Sequence, residues 1–193
     1  MNDEEARTQL LDTAERLFYA HGIQAVGMDA LRTASGLSLK RLYRCFPAKA
    51  DLVEAYLRRR DARWREALSS YVDEHGATPH GRVLAVFDWL AGWFADDGFR
   101  GCAFINAFGE AGAVSDGVVR AVRDHKRAVG AYLTGLTRDL GRGDAPALAQ
   151  QLLLLLDGAI TTAAISGDPA AAGHARRAAE ALLATAPPAE ADG

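Results

Sequence analysis

Apolar residues recur along this chain with the period of an α-helix. Ala6, Leu10, Ala14, Leu17 and Phe18 form one stripe, which predicts a helix from Asp3 to Ala20. His21-Gly22 closes it, with Gly in a slot open to the left-handed conformation. Ile23 and Val26 follow as buried anchors. A second, short helix is expected from Met28 to Ser35, with Gly27 as its N-cap and Asp29 in the first turn, where it suits the helix dipole. Gly36 breaks that helix. Ser38 then caps a third, Leu39 to Phe46, which Pro47 stops. Two helices of about two turns joined by a short Gly-containing turn make a helix-turn-helix. Leu31, Ala34, Leu37, Leu42 and Phe46 are expected to supply its shared core.

A long helix is expected from Ala48 to Tyr71 or slightly beyond, and "HGATPHG" (His75–Gly81) is the clearest break in the chain. Further helices read as Pro79–Asp96, Arg100–Ala111, Ser115–Leu140, Ala145–Ile165 and Pro169–Ala186, separated by Gly, Asp and Pro clusters. Asp168-Pro169 reads as a start with Pro at the first helical position. No strand pattern and no fixed-period repeat emerges. The expected fold is all-α: a helix-turn-helix domain over 1–47, a helical body over 48–187 and a frayed tail over 188–193.

Composition agrees with this. The 193 residues are 49% apolar, enough for a buried core. The best candidate for a membrane span, "LLLLLDGAITTAAI", carries Asp157 and reads as too short. The beginning, "MNDEEARTQ", is acidic rather than a secretory signal, so a cytoplasmic protein is expected. Cys45 and Cys102 make neither a disulfide framework nor a metal pattern. Cys45, among basic residues, is the better placed of the two for a reactive thiol.

Charge is unevenly spread. The chain carries a net −3, yet Arg32–Arg65 holds 10 basic against 3 acidic residues, a local +7. A basic patch on an acidic body fits DNA binding through one end. Arg58–Arg60 taken alone reads as a solvated charged face.

The third helix concentrates this chemistry. Lys40, Arg41 and Arg44 share one face, while Leu42 and Phe46 point the other way. A helix in a DNA major groove needs such a division: Arg and Lys donate to guanine edges and neutralise phosphate, and the opposite face packs. Ser38 leaves the helix start free to aim its N–H groups outward.

This stretch resembles the DNA-binding module of the TetR (tetracycline-repressor-like) family of transcriptional regulators. The pattern is "SGLS", the variable Leu39-Lys40-Arg41, "LYRCF", then Lys49, and the match spans Ala6 to Leu57. The resemblance implies that Ser38, Leu39, Lys40, Arg41, Tyr43, Arg44, Cys45 and Lys49 form the DNA interface. Leu39, Lys40 and Arg41 occupy the base-reading positions, and Arg44 and Cys45 positions that touch bases or backbone. Tyr43 and Lys49 match phosphate contacts. Leu39 stands between core packing and contact with a thymine methyl. The chain departs from the pattern at Gly27, where a Thr or Ser is common, at Arg32, and at Lys40, which makes this recognition helix bulkier and more basic. Arg32 is expected to be exposed or to reach a phosphate.

The resemblance also implies effector binding and dimerisation by the helical body. "FDWLAGWF" and "CAFINAFGE" mix aromatic and polar residues as a ligand pocket does. Trp93, Phe108, Asn106, Glu110 and His125 are the candidate effector residues, with Ala128 and Tyr132 nearby. Phe87, Leu90 and Phe104 read as core. Ala145–Ile165 is apolar almost all round, and Ala171, Ala175, Ala178, Ala179 and Leu182 line the last helix, so these two helices are the expected homodimer interface. No catalytic triad, phosphate loop or metal-spaced His cluster stands out, so neither enzyme activity nor a cofactor is expected. The expected function is a repressor that binds a palindromic operator as a homodimer and is released by a small, mostly apolar effector. A helical protein-interaction adaptor without DNA binding is the alternative.

Overall fold

A computed structural model describes residues 2–141 and 144–185. Among these residues it contains helices and no strands: α1 (Asp3–His21), α2 (Met28–Ser35), α3 (Leu39–Cys45), α4 (Lys49–His75), α5 (Pro79–Phe94), α6 (Ala103–Ala111), α7 (Asp116–Arg138), α8 (Ala145–Ser166) and α9 (Ala171–Thr185). The tail expected to fray lies outside the described residues.

The chain divides into two compact units. The first comprises Met1–Arg63 and Ala103–His125, and the second Trp64–Cys102 and Lys126–Gly193. The helix-turn-helix lies wholly within the first unit, which also takes the beginning of α4, all of α6 and the beginning of α7.

In the first unit, α1, α2 and α3 pack on one another. Leu10, Ala14 and Phe18 of α1, Leu31 of α2, and Leu42 and Phe46 of the α3 end are buried together with Ile23 and Val26, as the apolar stripes require. Ala34, expected in this core, is exposed. It is near the end of a two-turn helix whose inner face is already filled by Leu31 and Ser35. Phe18 meets Tyr56 of α4 with ring centroids 5.7 Å apart. Arginines of α4 carry the rest of the attachment. Arg59 pairs with Asp12 and Glu15 at 2.9 Å each, Arg63 reaches Glu15 at 3.1 Å, and Arg60 reaches Glu15 while lying over the Tyr19 ring. Arg58 binds Asp124 and Glu54. So "RRR" is not the solvated face its sequence suggests. Acids remote in the chain take up its charge.

In the second unit, α5, α8 and α9 pack together. Phe87 and Leu90 of α5 are buried as expected, with Leu152, Leu156 and Ile160 of α8 and Ala172, Ala175, Ala179 and Leu183 of α9. Alanines on α9 permit close helix approach, and Arg176 pins α9 to Asp88 of α5 at 2.8 Å. Lys126 of α7 pairs with Asp157 of α8. Trp64, Trp89, Trp93 and Phe99 form a half-buried aromatic cluster, Trp64 edge-on to Trp89 at 5.0 Å and Trp93 edge-on to Phe99 at 5.1 Å.

Several boundaries differ from expectation for local reasons. The last helix starts at Ala171 rather than Pro169, because the Asp168 carboxylate accepts the Ala170 N–H at 2.8 Å and shapes a turn first. Helix α6 starts at Ala103 rather than Arg100, where Gly101 takes φ +81° and the Arg100 guanidinium donates to the carbonyls of Asp97 and Phe99. Helix α8 begins at Ala145 as expected, well before the leucine run, and this corrects the reading of that stretch as too short: by length and composition it is, among the described residues, the one helix that could cross a membrane. It is nonetheless packed along one face within its unit.

Candidate nucleic-acid interface

The first unit builds its outer face from the α1 start inward. Asn2 and Glu5 form a reciprocal capping box, each side chain accepting the other's backbone N–H at 2.8 Å. That cap fixes the direction of the Asn2 carbonyl and places Asp3 on the first turn. Helix α2 begins at Gly27 without a side-chain cap, as its sequence implies, and ends at Gly36 with φ +66°, a left-handed residue that turns the chain sharply into α3. Ser38 caps α3 by accepting the Arg41 N–H at 3.3 Å. At the far end, the Ala48 N–H donates to Asp51 at 2.9 Å, opening α4.

On α3 the predicted division holds. Leu42 is fully buried and Phe46 nearly so, whereas Lys40, Tyr43 and Arg44 are exposed and Arg41 and Cys45 half-buried. Leu39 is 40% exposed, which removes it from the core. Tyr43 is 45% exposed, its ring on the outer face. Arg32 is exposed as expected and pairs with Asp29 at 3.4 Å.

Three α1 residues outside the motif reach α2 and α3. Arg7 donates to the Cys45 carbonyl at 2.9 Å and lies 4.0 Å from the Phe46 ring, so a cation satisfies the α3 C-terminus. Gln9 donates to the Ser35 carbonyl at 2.6 Å and holds the end of α2. Asp3 receives both Arg41 and Arg44. All three sit on the polar side of α1, where sequence reading sees only solvent. No local pattern identifies partners some forty positions away.

Lys49 is differently placed. Its ammonium donates to the Ile23 carbonyl at 2.6 Å and lies near the Phe18 ring. Burial lowers its pKa from the ordinary 10.5, and the Glu110 charge opposes that shift.

The candidate effector residues fall in different surroundings. Trp93 belongs to the aromatic cluster of the second unit, and the other four belong to the first. Phe108 and Asn106 are exposed on α6. The Glu110 carboxylate accepts the Gln24 N–H at 2.8 Å. His125 is buried, stacked on Phe104 at 3.6 Å, with Nδ1 2.7 Å from Asp61. Among the described residues no group of His, Cys, Asp and Glu is arranged to hold a metal.

A capped two-helix element with a cationic outer face and an apolar inner face defines a helix-turn-helix DNA-binding protein. Residues 10–56 match the family of bacterial regulatory proteins of the tetR type. The chain is 35% identical to a TetR-family transcriptional regulator from Streptomyces coelicolor, across 93% of this chain and 89% of that one, with a TM-score of 0.86. It shares the fold of reduced E. coli NemR (23% identity, 92% and 96% covered, TM-score 0.83). It also shares the fold of a TetR-family regulator from Agrobacterium tumefaciens (22% identity, 96% and 100% covered, TM-score 0.81). No curated protein matches the chain. The chain belongs to the TetR family and is a DNA-binding transcriptional regulator.

Proposed function

We propose that this protein is a homodimeric repressor that works in the cytoplasm, binds a palindromic operator and is released from it by a small, mostly apolar effector. The observation that carries the DNA-binding half is the outer face of α3, where Leu39, Lys40, Tyr43 and Arg44 stand clear of the core. Lys40 and Arg41 read base edges, Tyr43 meets a phosphate, and Leu39 supplies an apolar surface for a thymine methyl. Support for the dimer comes from α8, which buries one face in its own unit and leaves Leu154 73% and Ile165 83% exposed on the other. Apolar side chains that bare on a helix favour a second copy as cover. The half-buried Trp64, Trp89, Trp93 and Phe99 cluster of the second unit supports an apolar effector.

Selection of duplexes from a randomised pool tests the reading, combined with sedimentation of the free and DNA-bound protein. An enriched inverted repeat bound by two chains is expected, with half-sites about one helical turn apart. Lys40→Ala should weaken the enriched duplex more than a random one, because base contacts specify. A monomer that enriches no sequence would instead favour the adaptor. Effector coupling is tested by a thermal-shift ligand screen followed by titration of the enriched duplex. Hits should lower duplex affinity, and by reciprocity the duplex should lower theirs by the same factor.

A further inference from the structure

We propose that Asp3 is a specificity-determining residue: an internal anion that occupies Arg41 and Arg44 of the recognition helix and suppresses binding to DNA of the wrong sequence. The inference rests on α3 being the helix that enters the groove.

One carboxylate oxygen of Asp3 receives both guanidinium groups. Arg44 donates to it directly, and Arg41 lies 3.4 Å away while also donating to the Asn2 carbonyl at 2.8 Å. The anion is held in position. The Asn2–Glu5 capping box fixes the first turn of α1, and Ala6 and Leu10 anchor the helix beneath it. Arg41 and Arg44 are three apart on α3, so both point at the same acceptor.

This pairing is poorly suited to stabilising the fold. Asp3 and Arg44 are mostly exposed, and exposed ion pairs contribute little. It is well suited to exchange. A phosphate or a guanine edge offers these guanidiniums the same acceptor chemistry as the carboxylate. Three charges thus act as a net +1 toward a duplex rather than +2. On a random sequence only phosphates compete with Asp3, and few contacts reward releasing the arginines. On the cognate sequence, base edges repay the release. Asp3 therefore penalises phosphate-only binding more than base-specific binding.

The test titrates a labelled random-sequence duplex, and the duplex enriched by the wild-type protein, over a salt series. Asp3→Asn keeps the capping box intact, and circular dichroism with thermal melting checks the fold. Glu4→Gln changes net charge equally one position away and is the control. Asp3→Asn should bind the random duplex about three- to tenfold tighter, with a salt slope steeper by about one. Its preference for the enriched duplex should fall. Glu4→Gln should stay close to wild type. In an Arg41→Ala, Arg44→Ala background, Asp3→Asn should have no effect of its own. The proposal is overturned if Asp3→Asn matches wild type on the random duplex, if Glu4→Gln reproduces its gain, or if the gain persists without the two arginines. Failure of the wild-type protein to bind either duplex would refute the interface itself, and this proposal with it.

Discussion

Gln24 donates twice to Glu110 of α6, its backbone N–H to the carboxylate at 2.8 Å and its side-chain amide to the backbone carbonyl at 2.9 Å. These two bonds tie α6 to the link between α1 and α2. Gly22, in the same link, has φ +88°, and a Cβ there would lie 3.1 Å from the Glu110 carboxylate. Gly22→Ala meets both backbone strain and crowding, and should lose about 1–3 kcal/mol in urea unfolding. Glu110→Ala relieves the crowding. The double variant should therefore lose less than the sum of the single losses.

Lys49→Met tests whether this lysine serves the fold or the phosphate backbone. Its ammonium is engaged by the Ile23 carbonyl, so the variant should lose about 1–2 kcal/mol of stability at neutral pH. The salt slope of duplex binding should change by less than one unit. Because burial lowers the folded pKa below the ordinary 10.5, the unfolded chain binds the extra proton between those two values. Wild-type stability should gain from Lys49 as pH rises through that window, and Lys49→Met should lack the gain.

Tyr132→Phe carries the opposite sign. The Tyr132 hydroxyl is buried with no hydrogen-bond partner among the described residues. Burial raises its pKa above the ordinary 10.0, with Arg82 opposing and Asp73 adding. The unfolded phenol ionises first, so this contribution is complete below about 10 and is lost as pH climbs through the folded value. Tyr132→Phe should be neutral or stabilising by up to about 1 kcal/mol, and should lessen the alkaline loss in a pH series of thermal melts.

Glu15→Gln addresses the attachment of α1 to α4. Glu15 meets Arg59, Arg60 and Arg63, and its side chain is only 20% exposed. Removing the charge leaves Arg59, itself 18% exposed, with Asp12 as its remaining acid among these pairs. The expected loss is about 1–3 kcal/mol, between the surface and buried limits for ion pairs. Asp12→Asn should cost less, because Asp12 is well exposed and among the described residues pairs with Arg59 alone. Chemical denaturation of the two variants checks the order.

The sequence by itself determined the helices and the recognition element. The stripes through Leu10, Ala14 and Phe18, the breaks at Gly22, Gly36 and Pro47, and the Ser38 cap are local signals. Helix formation, capping and termination depend on neighbours within about four positions. Met28–Ser35 was therefore legible end to end, and α3 to within one residue. The same locality fixed which face of α3 is cationic, because Leu42 and Phe46 had to turn inward.

Only the tertiary structure decided what the charged residues do. Arg58, Arg59 and Arg60 look solvated in a run of three, yet Asp12, Glu15 and Asp124 face them from other helices. Lys49 keeps its motif position but turns to the Ile23 carbonyl. Arg7 and Gln9 become supports of α3 and α2, and Asp3 a partner of Arg44, through bonds that span 26 to 41 positions. Long side chains carry their charge several ångströms from the backbone, and a hydrophobic stripe says nothing about which partner meets them there. Apolar burial is written in periodicity, and polar pairing waits on the packing that brings the ends together.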